Sequence, residues 1–130
     1  MIRPQYHFRQ VSGRVLIWDV QRLTRLAADL PVQDHPLGQI REIDEPYWFA
    51  ATDDQATCRA VLTHARQIDA ADLFYPILLC AEGRVMDGMH RVMKALDLGL
   101  ATIKARQFRS TPPPDHVDVA PGDLPYQSSD

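Results

Sequence analysis

The feature that most restricts the possible folds of this chain is the order of elements predicted over residues 76–98. A buried apolar strand is followed by a turn, a second short apolar strand and a helix. Residues 76–81 read Pro-Ile-Leu-Leu-Cys-Ala, which is typical of a strand buried on both faces. The Glu-Gly pair at 82–83 is a turn signal, and residues 84–86 are predicted to return as a hairpin partner. A helix is predicted over 88–98, with Gly99 at its C-terminal cap. The pattern indicates an α+β fold.

The first third of the chain is predicted to add a strand, a helix and an irregular segment. Residues 14–18 combine β-branched and aromatic side chains, and Asp19 is a good N-cap for the helix that apolar spacing predicts up to Pro31. The segment that follows is interrupted by proline and glycine, which leaves room only for a short strand over 39–43. The aromatic cluster at 47–49 is expected either to pack over the core or to line a ligand groove.

A further helix and a last strand complete the predicted elements. Thr52 and Gln55 form a capping box, which places the helix at about 53–69. The last strand is predicted over 102–108. Nearby basic side chains are expected on the solvated side of an edge strand or, alternatively, on a face extended toward nucleic acid: Lys104, Arg106 and Arg109.

Length and charge separate a body from a tail. A chain of 130 residues with 45% hydrophobic content is long enough for one domain with a real core. All 14 lysines and arginines precede Ser110, so residues 1–109 carry 14 positive and 13 negative charges, or +1. This charge does not predict tight nonspecific DNA binding. We expect a single small α+β domain over 1–109, a mixed β-sheet with about three packed helices, and a proline-rich, acidic tail over 110–130 that is extended or disordered, or lies over a neighbour.

The two cysteines and the hydropathy pattern bear on the environment of the protein. Cys58 and Cys80 lack the spacing of a metal site and are expected to be reduced core thiols. No apolar run reaches the ~18 residues that a membrane span needs, and no signal-peptide pattern is evident. We therefore expect a cytoplasmic protein with no membrane partner.

The junction at 87–91 reads Asp-Gly-Met-His-Arg and is the candidate functional site. If the helix begins at Gly88, the backbone N–H groups of Gly88, Met89, His90 and Arg91 are unpaired, and the helix dipole adds partial positive charge there. Such a place attracts phosphate. Arg91 can grip phosphate oxygens, His90 can donate a hydrogen bond or act as an acid or base, and Asp87 can contact Mg²⁺.

A purely structural interpretation of the same junction is also open. Asp87 can be only an N-cap, Gly88 only a turn, and His90 can simply bond a backbone carbonyl. His64, on the second predicted helix, is expected at the surface or boundary. Three acidic residues before the aromatic cluster are second candidates for a general base or, alternatively, a solvated loop: Glu42, Asp44 and Glu45.

The region from Leu73 to Phe108 resembles the ParB N-terminal/sulfiredoxin-like superfamily, which includes ParB-like nuclease domains, and the first strand and helix resemble it more loosely. There the same junction, written Gly-x-His-Arg, Gly-x-Arg-Arg or Asp-Gly-x-His-Arg, holds nucleotide phosphates in CTP-hydrolysing partition proteins, ATP-dependent sulfiredoxins and ADP- or ATP-dependent free-serine kinases. The resemblance implies that Gly88, His90 and Arg91 bind phosphate. It also matches Asp87 to the acidic residue of the kinase-like members.

Departures from that family narrow the hypotheses. Met89 stands where sulfiredoxins carry a catalytic cysteine, and a thioether cannot form the thiolate that sulfinic acid reduction needs. A proline-rich tail stands where partition proteins carry a helix-turn-helix region, so DNA binding by this chain alone is not expected.

The leading hypothesis is a stand-alone domain that binds ATP, ADP or CTP together with Mg²⁺. It would transfer a phosphoryl group to a small-molecule acceptor, with Asp87 and His90 as catalytic groups. One alternative is a non-enzymatic accessory module in chromosome or plasmid partition with CTP or DNA as ligand. Another is a protein-interaction domain with an inactive site. Whether the protein forms a homodimer is left open.

Overall fold

The computed structural model describes residues 5–49 and 55–125 and confirms the predicted α+β class. Within these ranges three α-helices and two sheets are present. No helix there is long and apolar enough to cross a membrane. In chain order the strands and α-helices are β1 Tyr6–Val11, β2 Arg14–Asp19, α1 Val20–Leu26, β3 Gln33–Pro36, α2 Cys58–Ala70, β4 Ile77–Leu79, β5 Val85–Asp87, α3 Met89–Asp97, β6 Thr102–Gln107 and β7 His116–Val117.

The first sheet is antiparallel in the order β1-β2-β7. Strands β1 and β2 form a hairpin, and the two turn residues, Ser12 and Gly13, have φ of 52° and 79°. Positive φ at both positions is the geometry that matches the twist of paired strands. Strand β1 was not predicted from the sequence, although the Ser-Gly pair was a usable turn signal.

The second sheet has the order β3-β6-β4-β5, with β4 and β6 parallel and the other pairs antiparallel. The predicted mixed sheet is therefore present, but the expected edge position of the last strand is wrong, because β6 lies between β3 and β4. The predicted strand over 39–43 is also wrong. The strand is β3, and Arg41–Asp44 form a 3-10 turn that lets Glu42 bond the backbone of Val85.

Two apolar clusters form the core, and β4 contributes to both. Ile77 and Leu79 belong to a cluster with Met89, Val92 and Ala95 of α3. The side chain of Leu78 belongs instead to a cluster that includes Leu23 of α1, Ala27 at the C-cap of α1 and Trp18 of β2. Because side chains alternate along a strand, α3 covers one face of the second sheet, and α1 with the first sheet covers the other. The prediction that residues 76–81 are buried on both faces is therefore correct for β4.

Helix α2 begins later than predicted. Thr57 is the N-cap, and its side chain accepts a hydrogen bond from the N–H of Ala60 at 3.1 Å. Gln55 precedes the helix, and the predicted cap at Thr52 lies outside the described residues. Cys58 is exposed at the first position of α2, so the expectation of core thiols is correct only for Cys80.

Residues 110–125 lie extended along β2 and continue the ordered structure beyond the predicted boundary at 109. The indole N–H of Trp18 donates to the carbonyl of Pro112 at 2.8 Å. The carboxylates of Asp115 and Asp118 accept from backbone N–H groups of β2 at 2.7 and 2.8 Å, and Leu124 is buried. These contacts place residues 110–125 on this domain.

Candidate functional site

The junction between β5 and α3 is held in shape by Gly88. This residue is the N-cap of α3 with φ of 102°, and α3 has no side-chain cap. A Cβ atom at Gly88 would lie 2.7 Å from Cγ2 of Ile77 and 3.0 Å from a terminal nitrogen of Arg91. Glycine is thus required by both the backbone conformation and the packing. Asp87 precedes the cap, so its interpretation as the N-cap is wrong.

The first turn of α3 presents backbone donors without protein acceptors. Within the described parts of the chain, no acceptor bonds the backbone N–H of Met89, His90 or Arg91, as expected for the start of a helix. The side chain of Met89 is buried in the core, so only its backbone can contact a ligand. These groups and the helix dipole make the turn electropositive.

The guanidinium of Arg91 is bonded to neighbouring protein groups. One terminal nitrogen donates to the carbonyls of Tyr75 and Pro76 at 3.0 and 2.8 Å, and the other donates to Asp87 at 2.9 Å. Arg91 therefore ties the segment before β4 and the end of β5 to the first turn of α3. Its predicted contact with phosphate remains a prediction.

His90 is paired with His64. Nε2 of His90 lies 2.8 Å from Nδ1 of His64, and both rings stack on Trp48, with ring centroids 4.5 and 4.2 Å from its indole. His90 therefore bonds a second imidazole rather than a backbone carbonyl. Burial, and secondarily the charge of His64, lowers the pKa of His90 to about 4, so that His90 is neutral near pH 7.

His64 lies 26 positions from His90 in the sequence and is partly buried, which fits the expected surface or boundary position. Its pairing with His90 was not predicted. Of the two roles expected for the aromatic cluster at 47–49, the structure shows packing over the core, and none of the three residues lines the cavity described below. Tyr47 and Trp48 pack against the core, and Trp48 also supports the histidine pair. No sequence spacing indicated this arrangement, because it depends on the packing of α2 against α3.

A cavity of about 630 Å³ opens over the junction. Besides the junction itself, it is lined by residues from several other parts of the chain: Gln5, Thr24, Gln67, Ala71, Asp72, Phe74, Tyr75, Pro76, Leu78 and Arg106. Nε of Arg106 is buried and has no hydrogen-bond partner among the described residues. The expectation that Arg106 is merely a solvated edge-strand residue is therefore wrong, since β6 is an inner strand and Arg106 lines this cavity.

The acidic residues at 42–45 do not line the cavity in the described structure. Glu42 is buried, accepts from the N–H of Val85 at 2.7 Å and lies 3.6 Å from Nε of Arg84. Glu45 binds the same guanidinium through both carboxylate oxygens, at 2.7 and 3.2 Å. Two of the three second candidates for a general base, Glu42 and Glu45, thus bind Arg84 and Val85 at the start of β5.

The described residues contain no group of three or more side chains placed to hold a metal ion. The carboxylates that line the cavity are Asp72 and Asp87. One or two carboxylates, completed by waters and phosphate oxygens, fit the way Mg²⁺ binds beside nucleotides. The predicted magnesium contact at Asp87 is compatible with this donor set only in the presence of a phosphate ligand.

No protein-family model, curated protein or solved structure matches this chain. Function is therefore inferred from the geometry of the cavity and the β5–α3 junction.

Proposed function

We propose that this protein binds a nucleotide, ATP, ADP or CTP, with its phosphates at the first turn of α3. The observation that carries the proposal is that the first turn of α3, whose backbone N–H groups have no acceptor among the described residues, and the side chain of Arg106 line the same cavity. Backbone donors at a helix start and a guanidinium are both strong ligands for phosphate oxygens.

The size and charge of the cavity support a nucleotide. A volume of about 630 Å³ lies within the usual ~300–1,000 Å³ range of sites for small molecules and cofactors. Asp72 and Asp87 line the cavity, and a Mg²⁺ ion bound between a carboxylate and the phosphates would offset the repulsion between them. The resemblance of residues 73–108 to the ParB N-terminal/sulfiredoxin-like superfamily leads to the same ligand class.

Isothermal titration calorimetry with ATP, ADP and CTP, each with and without Mg²⁺, tests the proposal. We expect saturable binding of at least one nucleotide. Binding of none at millimolar concentration would overturn it.

Replacement of Arg106 by glutamine removes the guanidinium whose Nε is unpaired, and we expect nucleotide affinity to fall by about 1.5–3 kcal/mol, the usual contribution of a charged hydrogen bond. Arg109→Gln is the matched control, because Arg109 is exposed, lies three positions along the chain and does not line the cavity. Equal affinities of the two variants would show that Arg106 does not contact the ligand.

A phosphotransferase activity is the reaction that Asp87 would serve. Its carboxylate lies beside the proposed phosphate site, and Arg91 holds one of its oxygens in place. In such a reaction the acceptor hydroxyl oxygen bonds the terminal phosphorus, the bond to the leaving nucleotide breaks, and Asp87 takes the hydroxyl proton. Neutral His90 adds a ring nitrogen beside the same turn.

The test is release of ADP from ATP, or of AMP from ADP, with free serine as acceptor and detection of phosphoserine. Asp87→Asn should abolish transfer while nucleotide binding persists. Transfer by this variant at the original rate would exclude Asp87 as the base, and absence of phosphoserine with the unmodified protein would exclude serine as the acceptor.

A further inference from the structure

Two adjacent aromatic side chains are unusually exposed at the edge of the cavity. Phe74 is 72% exposed, the highest value for a large hydrophobic side chain among the described residues, and Tyr75 is 58% exposed. Both line the cavity. Their rings meet edge to face, 5.4 Å apart and at 87°. Neighbouring aromatic rings are normally buried for their large apolar area, so packing within this chain does not explain their position.

The backbone under these rings is fixed rather than loose. The carboxylate of Asp72 accepts from the N–H of Phe74 at 2.9 Å, and the carbonyl of Asp72 accepts from the N–H of Tyr75 at 3.4 Å. The carbonyl of Tyr75 accepts in turn from Arg91, which belongs to the first turn of α3. The aromatic pair is thus connected through hydrogen bonds to the proposed phosphate site.

A cation lies on the Phe74 ring as well. Nζ of Lys104 is 5.9 Å from the ring centroid, within the range of a cation–π contact. Lys104 is two positions before Arg106 on β6, so the positive charge of this strand reaches both the aromatic pair and the cavity. A ligand that combines a flat ring with negative charge matches this surface.

We propose that Phe74 and Tyr75 form an aromatic platform on which the heterocyclic base of the ligand stacks. This inference rests on the proposed nucleotide binding. It extends recognition of the ligand from the phosphates to the base. Stacking on aromatic side chains tolerates every base, because each base has a π face. The larger rings of purines cover more of the platform, so the protein binds purine nucleotides more tightly than CTP.

A comparison of ATP, inorganic tripolyphosphate and adenosine by calorimetry separates the platform from the phosphate site. With the unmodified protein we expect ATP to bind more tightly than tripolyphosphate. Phe74→Leu should weaken ATP binding by about 5-fold to 150-fold, the usual range for loss of one base–aromatic stack, and leave tripolyphosphate binding unchanged. Phe74→Trp should retain ATP binding, because it keeps a π face.

Phe8→Leu is the matched control, because Phe8 is a partly exposed phenylalanine of β1 that does not line the cavity. Its affinity for ATP should equal that of the unmodified protein. Melting temperatures of all variants check that folding is retained, which the exposure of Phe74 favours.

The outcomes distinguish the two proposals. Equal affinity for ATP and tripolyphosphate, unaffected by Phe74→Leu, would overturn the platform and leave the phosphate site standing. Binding of adenosine that is lost in Phe74→Leu, without binding of tripolyphosphate, would support the platform and overturn the phosphate site. Binding of none of the three would overturn both.

Discussion

Gly88 adopts a positive φ of 102° where β5 becomes α3, and a side chain there would collide with Ile77 and Arg91. We expect Gly88→Ala to lower the free energy of unfolding by about 2–4 kcal/mol, from a left-handed backbone cost of ~1–2 kcal/mol and an overpacking cost of similar size. Urea denaturation monitored by circular dichroism measures the change.

Two other glycines separate these causes. Gly99 has φ of 74°, and no atom lies within 4 Å of the place that a Cβ would occupy, whereas Gly38 has neither constraint. Gly99→Ala should therefore cost only the backbone term, and Gly38→Ala should cost little. If Gly88→Ala were no worse than Gly99→Ala, the contacts of Gly88 with Ile77 and Arg91 would not be restrictive.

His7 makes the stability of the protein sensitive to acid. It is buried between Trp18 and Tyr47, and burial, with a smaller effect of Arg9, lowers the pKa of His7 from 6.5 to about 3. Between these pH values the unfolded chain binds a proton that folded His7 does not. The free energy of unfolding should therefore fall as pH decreases from about 6.5 to about 3, by up to about 1.4 kcal/mol per pH unit from this group.

His7→Gln removes the titrating group, so its stability should fall less steeply over the same pH range. Thermal melts at closely spaced pH values from neutral to mildly acidic compare the two proteins. If stability fell equally steeply with decreasing pH in both proteins, His7 would not be the cause. The next histidines to substitute would be His90, whose pKa burial lowers to about 4, and His35, whose pKa burial also lowers.

At the level of elements, Arg91 connects β5 and the segment before β4 to α3 through three hydrogen bonds. A lysine keeps the charge but cannot reproduce the planar arrangement of donors. We expect Arg91→Lys to reduce the free energy of unfolding by about 2 kcal/mol. Arg25→Lys, at an exposed position of α1, is the control and should have little effect.

A loss of nucleotide affinity in Arg91→Lys without any loss of stability would contradict this assignment and favour direct phosphate contact. Chemical denaturation and nucleotide titration on the same preparation give both quantities.

The sequence predicted best those elements whose signals are local. The run through β4, β5 and α3 to β6 was recognisable because burial, the turn at Gly83 and the glycine after α3 all lie within it. The strand predicted over 39–43 is instead β3, Gln33–Pro36. Its four residues carry no apolar alternation, and pairing with β6 holds them in the sheet. Pairing partners distant in sequence cannot be read from local patterns.

The same distinction applies to the site. Asp87 to Arg91 were identifiable because they are contiguous, whereas His64, Arg106 and Phe74 join them only through tertiary packing. The position of Arg106 at the cavity depends on β6 being an inner strand, which only the sheet order determines. The exposure of the Phe74 side chain likewise could not be predicted from the amino-acid composition.

At the scale of the whole molecule, residues 110–125 complete the first sheet. Truncation after Ser110 would remove buried Leu124, the acceptor of the Trp18 indole and β7, one of the two strands paired with β2. We expect a loss of about 4 kcal/mol or more, from apolar burial and several hydrogen bonds. Urea unfolding of the truncated and full chains measures it.

A pair of point substitutions tests the same claim if the truncated chain does not fold. Leu124→Ala should cost about 2–3 kcal/mol because its side chain is buried, whereas Val117→Ala, at an exposed position of β7, should be nearly neutral. Unchanged stability of Leu124→Ala would mean that the tail does not contribute to the core.

The hydroxyl of Tyr6 donates to the carbonyl of Pro125, so the two ends of the described chain lie side by side. A short flexible linker between them would disturb neither sheet, since β1 and β7 already flank β2. The fold is therefore suited to circular permutation, with new ends in the solvent-exposed turn at Ala28–Asp29. In such a permutant β7 and β1 follow each other in the chain. The pairing of β7 with β2, which now joins segments far apart in the sequence, would then join segments close together.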